Sequence, residues 1–192
     1  KKYSEQEKEN IRKSLRREAC ECLRIYGVRR TTVDELVHRA DIPKGTFYLF
    51  YPHKEALFYD VIHTFINDIE PMYLSLLQEL DENHIVTSLT DVFYRILMRV
   101  YDEGLFRFLD GAELDLVFRK YGEAENIELE KTFSGAIKHL FSFFYIEDEN
   151  DIAAFSEGYK ALMYLLLSAD RLDGKEKTLR FLIRGLVLQM VE

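Results

Sequence analysis

Apolar residues recur at helical spacing along most of the chain. Ile11, Leu15, Ala19, Cys22, Leu23 and Tyr26 form a stripe at steps of three and four. Ser4 with Glu7 supplies a capping box at its start, and Gly27 stands where a helix-ending glycine belongs. Thr32 with Glu35 predicts a second capping box, opening a short helix whose apolar side is Val33, Leu36, Val37 and Ala40. That helix stops at Asp41-Ile42-Pro43, because a proline disfavours helical geometry in the residue before it. A third short helix runs from Lys44 to Phe50 and ends at Tyr51-Pro52. Two helices of about eight residues flanking a turn of about three have helix-turn-helix proportions.

From Lys54 a longer pattern runs through Leu57, Phe58, Val61, Ile62, Phe65, Ile66, Ile69, Met72, Tyr73, Leu76, Leu77 and Leu80, with Pro71 as the expected kink or break. Further helices are expected near 85–103, 105–110, 113–121 and 123–145. A closing pair is expected at 149–169 and 174–191, joined by Asp170-Arg171-Leu172-Asp173-Gly174. The pattern predicts an all-α protein: an N-terminal three-helix helix-turn-helix domain over 1–52, packed on the start of helix 53–70, and a larger C-terminal helical domain over 53–192. The closing pair predicts a homodimer. Phe155, Tyr159, Leu162, Met163 and Leu166 line one face of its first helix, and Leu179, Leu182, Ile183, Leu186 and Met190 line one face of its second. Leu165, Leu167, Phe181 and Leu188 add apolar side chains outside those stripes, and a helix that is apolar on two sides needs a second surface to bury it.

Composition fits this picture. Three prolines and nine glycines in 192 residues are sparse punctuation, and hydrophobic residues make up 47%. The longest apolar run, Leu162-Met163-Tyr164-Leu165-Leu166-Leu167, is too short for a bilayer. With no charged-then-apolar opening segment, a cytoplasmic protein is expected. Cys20 and Cys22 are two apart on a helix, so they read as reduced packing residues. The net charge of −8 is unevenly spread: residues 1–66 carry net +3 and residues 67–192 net −11. Only the first part can approach a polyanion without repulsion.

A recognition helix presents its N-terminal residues to base edges, so small or polar residues are needed there. Lys44, Gly45 and Thr46 meet that need. Gly45 costs about 1 kcal/mol of helix stability relative to alanine, which makes sense where a backbone must approach closely. Lys44 suits a phosphate or guanine edge, and Thr46 a thymine methyl or a phosphate. Spacing assigns Phe47 and Tyr51 to the core and Tyr48 to the DNA surface. Lys54, Arg29 and Arg30 are expected phosphate contacts. The sequence has no Gly-rich phosphate loop, no G-x-S-x-G and no H-E-x-x-H, and its five histidines are scattered, so neither an enzyme, a metal site nor a cofactor is expected.

The run from Thr31 to Leu57 resembles the DNA-binding segment of the TetR (tetracycline-repressor) family of transcriptional regulators. The resemblance rests on Thr31, Thr32, Val33, Leu36, Ala40, Gly45, Thr46, Phe47, Tyr48, Lys54, Glu55 and Leu57. The chain departs from the family wording at Asp41 for the turn glycine, at Pro43 and His53 for serine-like caps, and at Phe50 and Tyr51. The resemblance places DNA contacts at Lys44, Gly45, Thr46, Tyr48 and Lys54, with Thr32 near the backbone. It also implies a repressor released from a palindromic double-stranded operator by a small-molecule effector. Aromatic residues are 14% of the chain, and many fall in 93–164. An aromatic-walled effector pocket is expected from Phe93, Leu97, Tyr101, Phe108, Phe118, Phe144 and Tyr164, with Asp110, Glu113 and His139 as polar tethers. The expected effector is small and hydrophobic. The competing reading is a helical protein-binding adaptor that binds no DNA.

Overall fold

The computed structural model describes residues 3–108, 111–120, 149–166 and 174–191, which are helical with no strand among them. The helices are α1 (Glu5–Arg30), α2 (Val33–Arg39), α3 (Lys44–Phe47), α4 (Lys54–Gln78), α5 (Ile85–Asp102), α6 (Ala112–Phe118), α7 (Glu149–Leu166) and α8 (Lys175–Val191). Short 3₁₀ turns occupy Glu82–His84 and Leu105–Phe108. The helix expected at 123–145 lies outside the described residues. The fold class is the all-helical one the pattern predicts.

Two compact units form. The first comprises residues 3–65 with 102–120, and the second residues 66–101 with 149–166 and 174–191. The first unit thus takes in the start of α4 and the α6 segment, beyond the 1–52 stretch expected from the sequence. Its buried side chains are the predicted stripe of α1 (Leu15, Ala19, Cys22, Leu23), Leu36 and Val37 of α2, Phe47 of α3, and Leu57, Phe58 and Val61 of α4. Tyr26, placed on that stripe by its spacing, is exposed, and the Arg39 guanidinium lies 5.9 Å from its ring centroid. The Ser4–Glu7 capping box is complete. Gly27 interrupts α1 with φ 76°, ψ 172°, so regular helix ends where the glycine predicted and Val28–Arg30 form a separate turn.

The second unit is a three-helix packing of matched stripes. Leu89, Phe93 and Leu97 of α5 meet Phe155, Leu162 and Leu166 of α7 and Leu179, Ile183 and Val187 of α8. On the other side of α5, Val92 and Ile96 cluster with Tyr73 of α4. The helical assignment of α4 continues through Pro71, where a kink or break was expected. At the α7–α8 contact, a Cβ added to Gly158 would meet Leu186 Cδ2 at 2.9 Å, so this glycine permits the close crossing.

These stripes correct the expected dimer surface. Phe155, Leu162, Leu166, Leu179 and Ile183 are buried in the protomer's own core. Met163, Leu186 and Met190 pack partly buried against it, and the Tyr159 hydroxyl donates to the Phe93 carbonyl. Of the ten residues named, Leu182 alone is exposed. The apolar surface left open on α8 is its other side: Phe181 (76% exposed), Leu182 and, half-buried, Leu188, with nothing among the described residues within 4 Å of where a Gly185 Cβ would sit. A stripe at helical spacing shows that a face is buried, and burial within one chain satisfies it as well as burial between two.

Candidate nucleic-acid interface

The helix-turn-helix is built from local chemistry. The Thr32 hydroxyl accepts the Glu35 amide at 3.1 Å and starts α2. The expected reciprocal half of that box is not made, because the Glu35 carboxylate instead accepts from Arg39 one turn on. At the turn, Asp41 takes φ +52°, the left-handed geometry that its short polar side chain tolerates. The Ile42 amide closes onto the Val37 carbonyl at 3.1 Å. Pro43 then caps α3 without a side-chain hydrogen bond, and its carbonyl accepts the Thr46 amide at 2.8 Å.

The faces of α3 and of the turn after it divide sharply. Phe47 is fully buried and Tyr51 nearly so. Lys44, Gly45, Tyr48 and Leu49 are exposed, Tyr48 by half and Leu49 by 69%. The Tyr48 ring stands edge-on to Phe47, with centroids 5.4 Å apart, so a buried ring braces an exposed one. A Cβ added to Gly45 would meet nothing within 4 Å. Among the described residues no neighbour requires this glycine. Leu49 was missed by sequence reasoning, since spacing alone does not show that the turn after α3 leaves this side chain in solvent.

Two expected DNA contacts are corrected. Thr46 is buried, with its hydroxyl 3.2 Å from that of Tyr3, so the residues before α1 cover it. The Lys54 ammonium donates to the carbonyls of Val28 (2.7 Å), Thr31 (2.6 Å) and Arg29 (3.3 Å). Its three donors are thus engaged at the end of α1, where free carbonyls and the helix dipole favour a cation. Arg29 and Arg30 are exposed, as is Thr32. Lys44 pairs across the helix-turn-helix with Asp34 at 2.8 Å, and that carboxylate holds the ammonium's pKa above its ordinary value.

A cleft of about 450 Å³ opens beside this surface, lined by Arg12, Phe50, Tyr51, Pro52, Ala56, Tyr59, Asp60 and His63. The Arg12 guanidinium sits 5.3 Å from the Phe50 ring centroid. Tyr51 donates its hydroxyl to Asp60, which Arg16 also meets at 3.2 Å. Burial and that carboxylate push the Tyr51 pKa well above its ordinary value. Burial likewise raises the Cys22 thiol to about 11, as fits a packing residue.

The expected effector-pocket residues are divided between the two units. Phe93 and Leu97 are core residues of the second unit, with Phe155 and Tyr159 rings 5.0 and 5.5 Å from that of Phe93. Tyr101 is half-buried under the Lys175 ammonium, 3.9 Å from its centroid. Phe108 and Phe118 belong to the first unit, and Tyr164 is exposed. Phe144, Asp110 and His139 lie outside the described residues. Glu113, expected as an effector tether, instead accepts the backbone amides of Val28 and Arg29. Among the described residues no three His, Cys, Asp or Glu are placed to hold a metal, and no helix is long and apolar enough to cross a membrane.

Comparison with known proteins agrees with this geometry. Residues 15–61 match the family model for bacterial regulatory proteins of the tetR family, a span covering α2, the turn and α3. Over 99 residues, 52% of the chain, the sequence is 34% identical to YdgC of Bacillus subtilis, an HTH-type transcriptional regulator. The match spans about half of that relative, 47% of its length. Among solved structures, a TetR family transcription regulator from Marinobacter aquaeolei shares the fold with TM-score 0.65 and 12% identity, covering 96% of this chain and 97% of its own. The fatty acid degradation regulator FadR from Bacillus halodurans aligns with TM-score 0.67 and 12% identity over 97% of both chains. These relatives are transcriptional regulators. The segment 15–61 is thus similar to the DNA-binding part of the tetR family of bacterial regulatory proteins, and the all-helical fold is shared with the solved regulators.

Proposed function

We propose that this protein is a DNA-binding transcriptional regulator: a homodimeric repressor that leaves a palindromic operator when a small hydrophobic effector binds. The observation that carries the DNA reading is the exposed surface of α3 and the residue after it: Lys44, Gly45 and Tyr48 are all exposed, and among the described residues nothing lies within 4 Å of where a Gly45 Cβ would sit. A backbone without a side chain at that point can come close to base edges, while Lys44 and Tyr48 reach to either side. Arg29 and Arg30 flank the start of α2, the helix that crosses the phosphate backbone in this motif. Residues 1–52 act as the reading head and 53–192 as the sensing and dimerising part.

Pairing of two heads follows from symmetry. A two-fold dimer sets two reading helices about 34 Å apart, or a multiple of a DNA turn, which matches a palindrome. The open side of α8, with Phe181, Leu182 and Leu188, supplies the mating surface. The aromatic cluster of Phe93, Phe155 and Tyr159 supplies apolar walls near which a hydrophobic effector can lodge.

The deciding experiment is a gel-shift series on fragments flanking the gene, with salt varied. Saturable binding to a palindromic fragment, falling steeply as salt rises, is expected. Lys44→Ala and Tyr48→Ala are each expected to weaken it by about tenfold, the cost of roughly 1–2 kcal/mol of contact. If both variants bind as tightly as the parent, the reading helix is assigned wrongly. If no fragment binds at any salt, the protein is an adaptor and not a regulator.

A further inference from the structure

The turn after Gly27 is held from both ends by charged side chains. The Glu113 carboxylate of α6 accepts the amides of Val28 and Arg29, the second at 3.1 Å. The Lys54 ammonium donates to the carbonyls of Val28, Arg29 and Thr31. An anion at the amide end of a short turn and a cation at its carbonyl end are the favourable placements for its dipole. Gly27 makes the approach possible twice over: its φ of +76° disfavours a side chain, and a Cβ there would lie 3.0 Å from the Glu113 carboxylate. The segment before α6 is fastened to the same place. Arg107 donates twice to the Arg24 carbonyl, at 2.9 and 3.2 Å, and Gly104 passes so close that a Cβ would fall 2.7 Å from the Arg24 amide nitrogen.

This turn carries Arg29 and Arg30, whose side chains are exposed just ahead of α2. We infer that Glu113 is a positioning residue for DNA binding: it touches no nucleic acid itself and fixes the turn from which Arg29 and Arg30 reach phosphate. The inference rests on the DNA-binding reading above and adds to it a residue 84 positions away from Arg29 in sequence. Two exposed arginines on an unheld turn would pay an ordering cost on binding that a pre-set turn avoids. The effect of Glu113 should therefore pass through those arginines and through nothing else at the interface.

The test is a double-mutant cycle on DNA affinity, with Glu113→Ala and Glu113→Gln made in the parent and in an Arg29→Ala/Arg30→Ala background, and with amide exchange of Val28 and Arg29 followed in free protein. Glu113→Ala is expected to speed exchange at both amides, weaken DNA binding about tenfold and flatten the salt dependence. In the double-arginine background it is expected to change affinity less than twofold. Glu113→Gln, whose side-chain carbonyl still accepts, is expected to restore most of the binding. An equal loss in both backgrounds would mean that Glu113 merely stabilises the fold, and unchanged affinity in the parent would mean that the turn needs no clamp; either overturns the inference. Absence of DNA binding by the parent would overturn the functional reading instead, while the exchange rates would still report whether the carboxylate holds the turn.

Discussion

At the scale of single residues, Gly45 separates what the fold needs from what function needs. Among the described residues nothing lies within 4 Å of where its Cβ would sit, and its φ is not in the left-handed region. Alanine there has no steric cost within the protein and gains up to about 1 kcal/mol of helix propensity. Gly45→Ala is therefore expected to raise the melting temperature slightly and to weaken operator binding, the two measured on one preparation. A variant that is both less stable and equally good at binding would remove the case for close approach. Cys22 gives a pH signature. Its thiol is raised from 9.0 to about 11 in the folded head, so the unfolded chain ionises first. The stability that burial of the neutral thiol confers is complete below pH 9 and is lost as pH climbs from 9 to 11. Urea midpoints across that range are expected to fall more steeply for the parent than for Cys22→Ala. Helix spacing made some residue roles legible, as with buried Phe47 and exposed Tyr48, but it put Tyr26 on a buried stripe where the side chain is exposed. The role of Thr46 was not legible, because its burial depends on Tyr3, which is 43 positions away.

At the scale of elements, what the sequence conveyed well was where helices begin and end. Ser4, Thr32, Gly27 and Pro43 each act within a turn of themselves, and each stands at the boundary it predicted. It conveyed poorly what closes an element from outside. The end of α1 is completed by Lys54, Arg107 and Glu113, which come from α4, the turn before α6, and α6. Lys54 looked like a phosphate ligand because a cation in the first turn of a helix has no reason to be there on dipole grounds alone. Its reason is the end of another helix. Lys54→Met removes the donor from three carbonyls, two of these bonds partly buried, at a cost of about 1–3 kcal/mol. Lys44→Met removes a surface ion pair with Asp34 worth little. The expected contrast is a lower melting temperature for Lys54→Met in the absence of DNA. For Lys44→Met the melting temperature stays unchanged, and the salt slope of DNA binding falls by about one. Equal melting temperatures would return Lys54 to the list of phosphate contacts.

At the scale of the whole molecule, the unresolved choice in the sequence was between core and interface. Both closing helices were legible, and so was their apolar excess. Periodicity cannot say which of two apolar faces meets the same chain. In α8 the 179–183–187 stripe went inward, leaving Phe181 and Leu182 in solvent, with nothing among the described residues within 4 Å of where a Gly185 Cβ would sit. An exposed phenylalanine ring returns about 1.5–3 kcal/mol when buried, and a two-fold contact uses it twice. Phe181→Glu places a charge on that face without touching the protomer's core, so each chain should fold as before. Sedimentation is expected to show monomer at concentrations where the parent is a dimer, with helicity unchanged. Operator affinity should fall much further than for any single contact variant, because the second reading head is no longer delivered at high effective concentration. Ile183→Glu is the matching control: its side chain is fully buried within the protomer, so it should unfold the second unit rather than separate two intact ones. A Phe181→Glu protein that still sediments as a dimer would place the mating surface elsewhere on the chain.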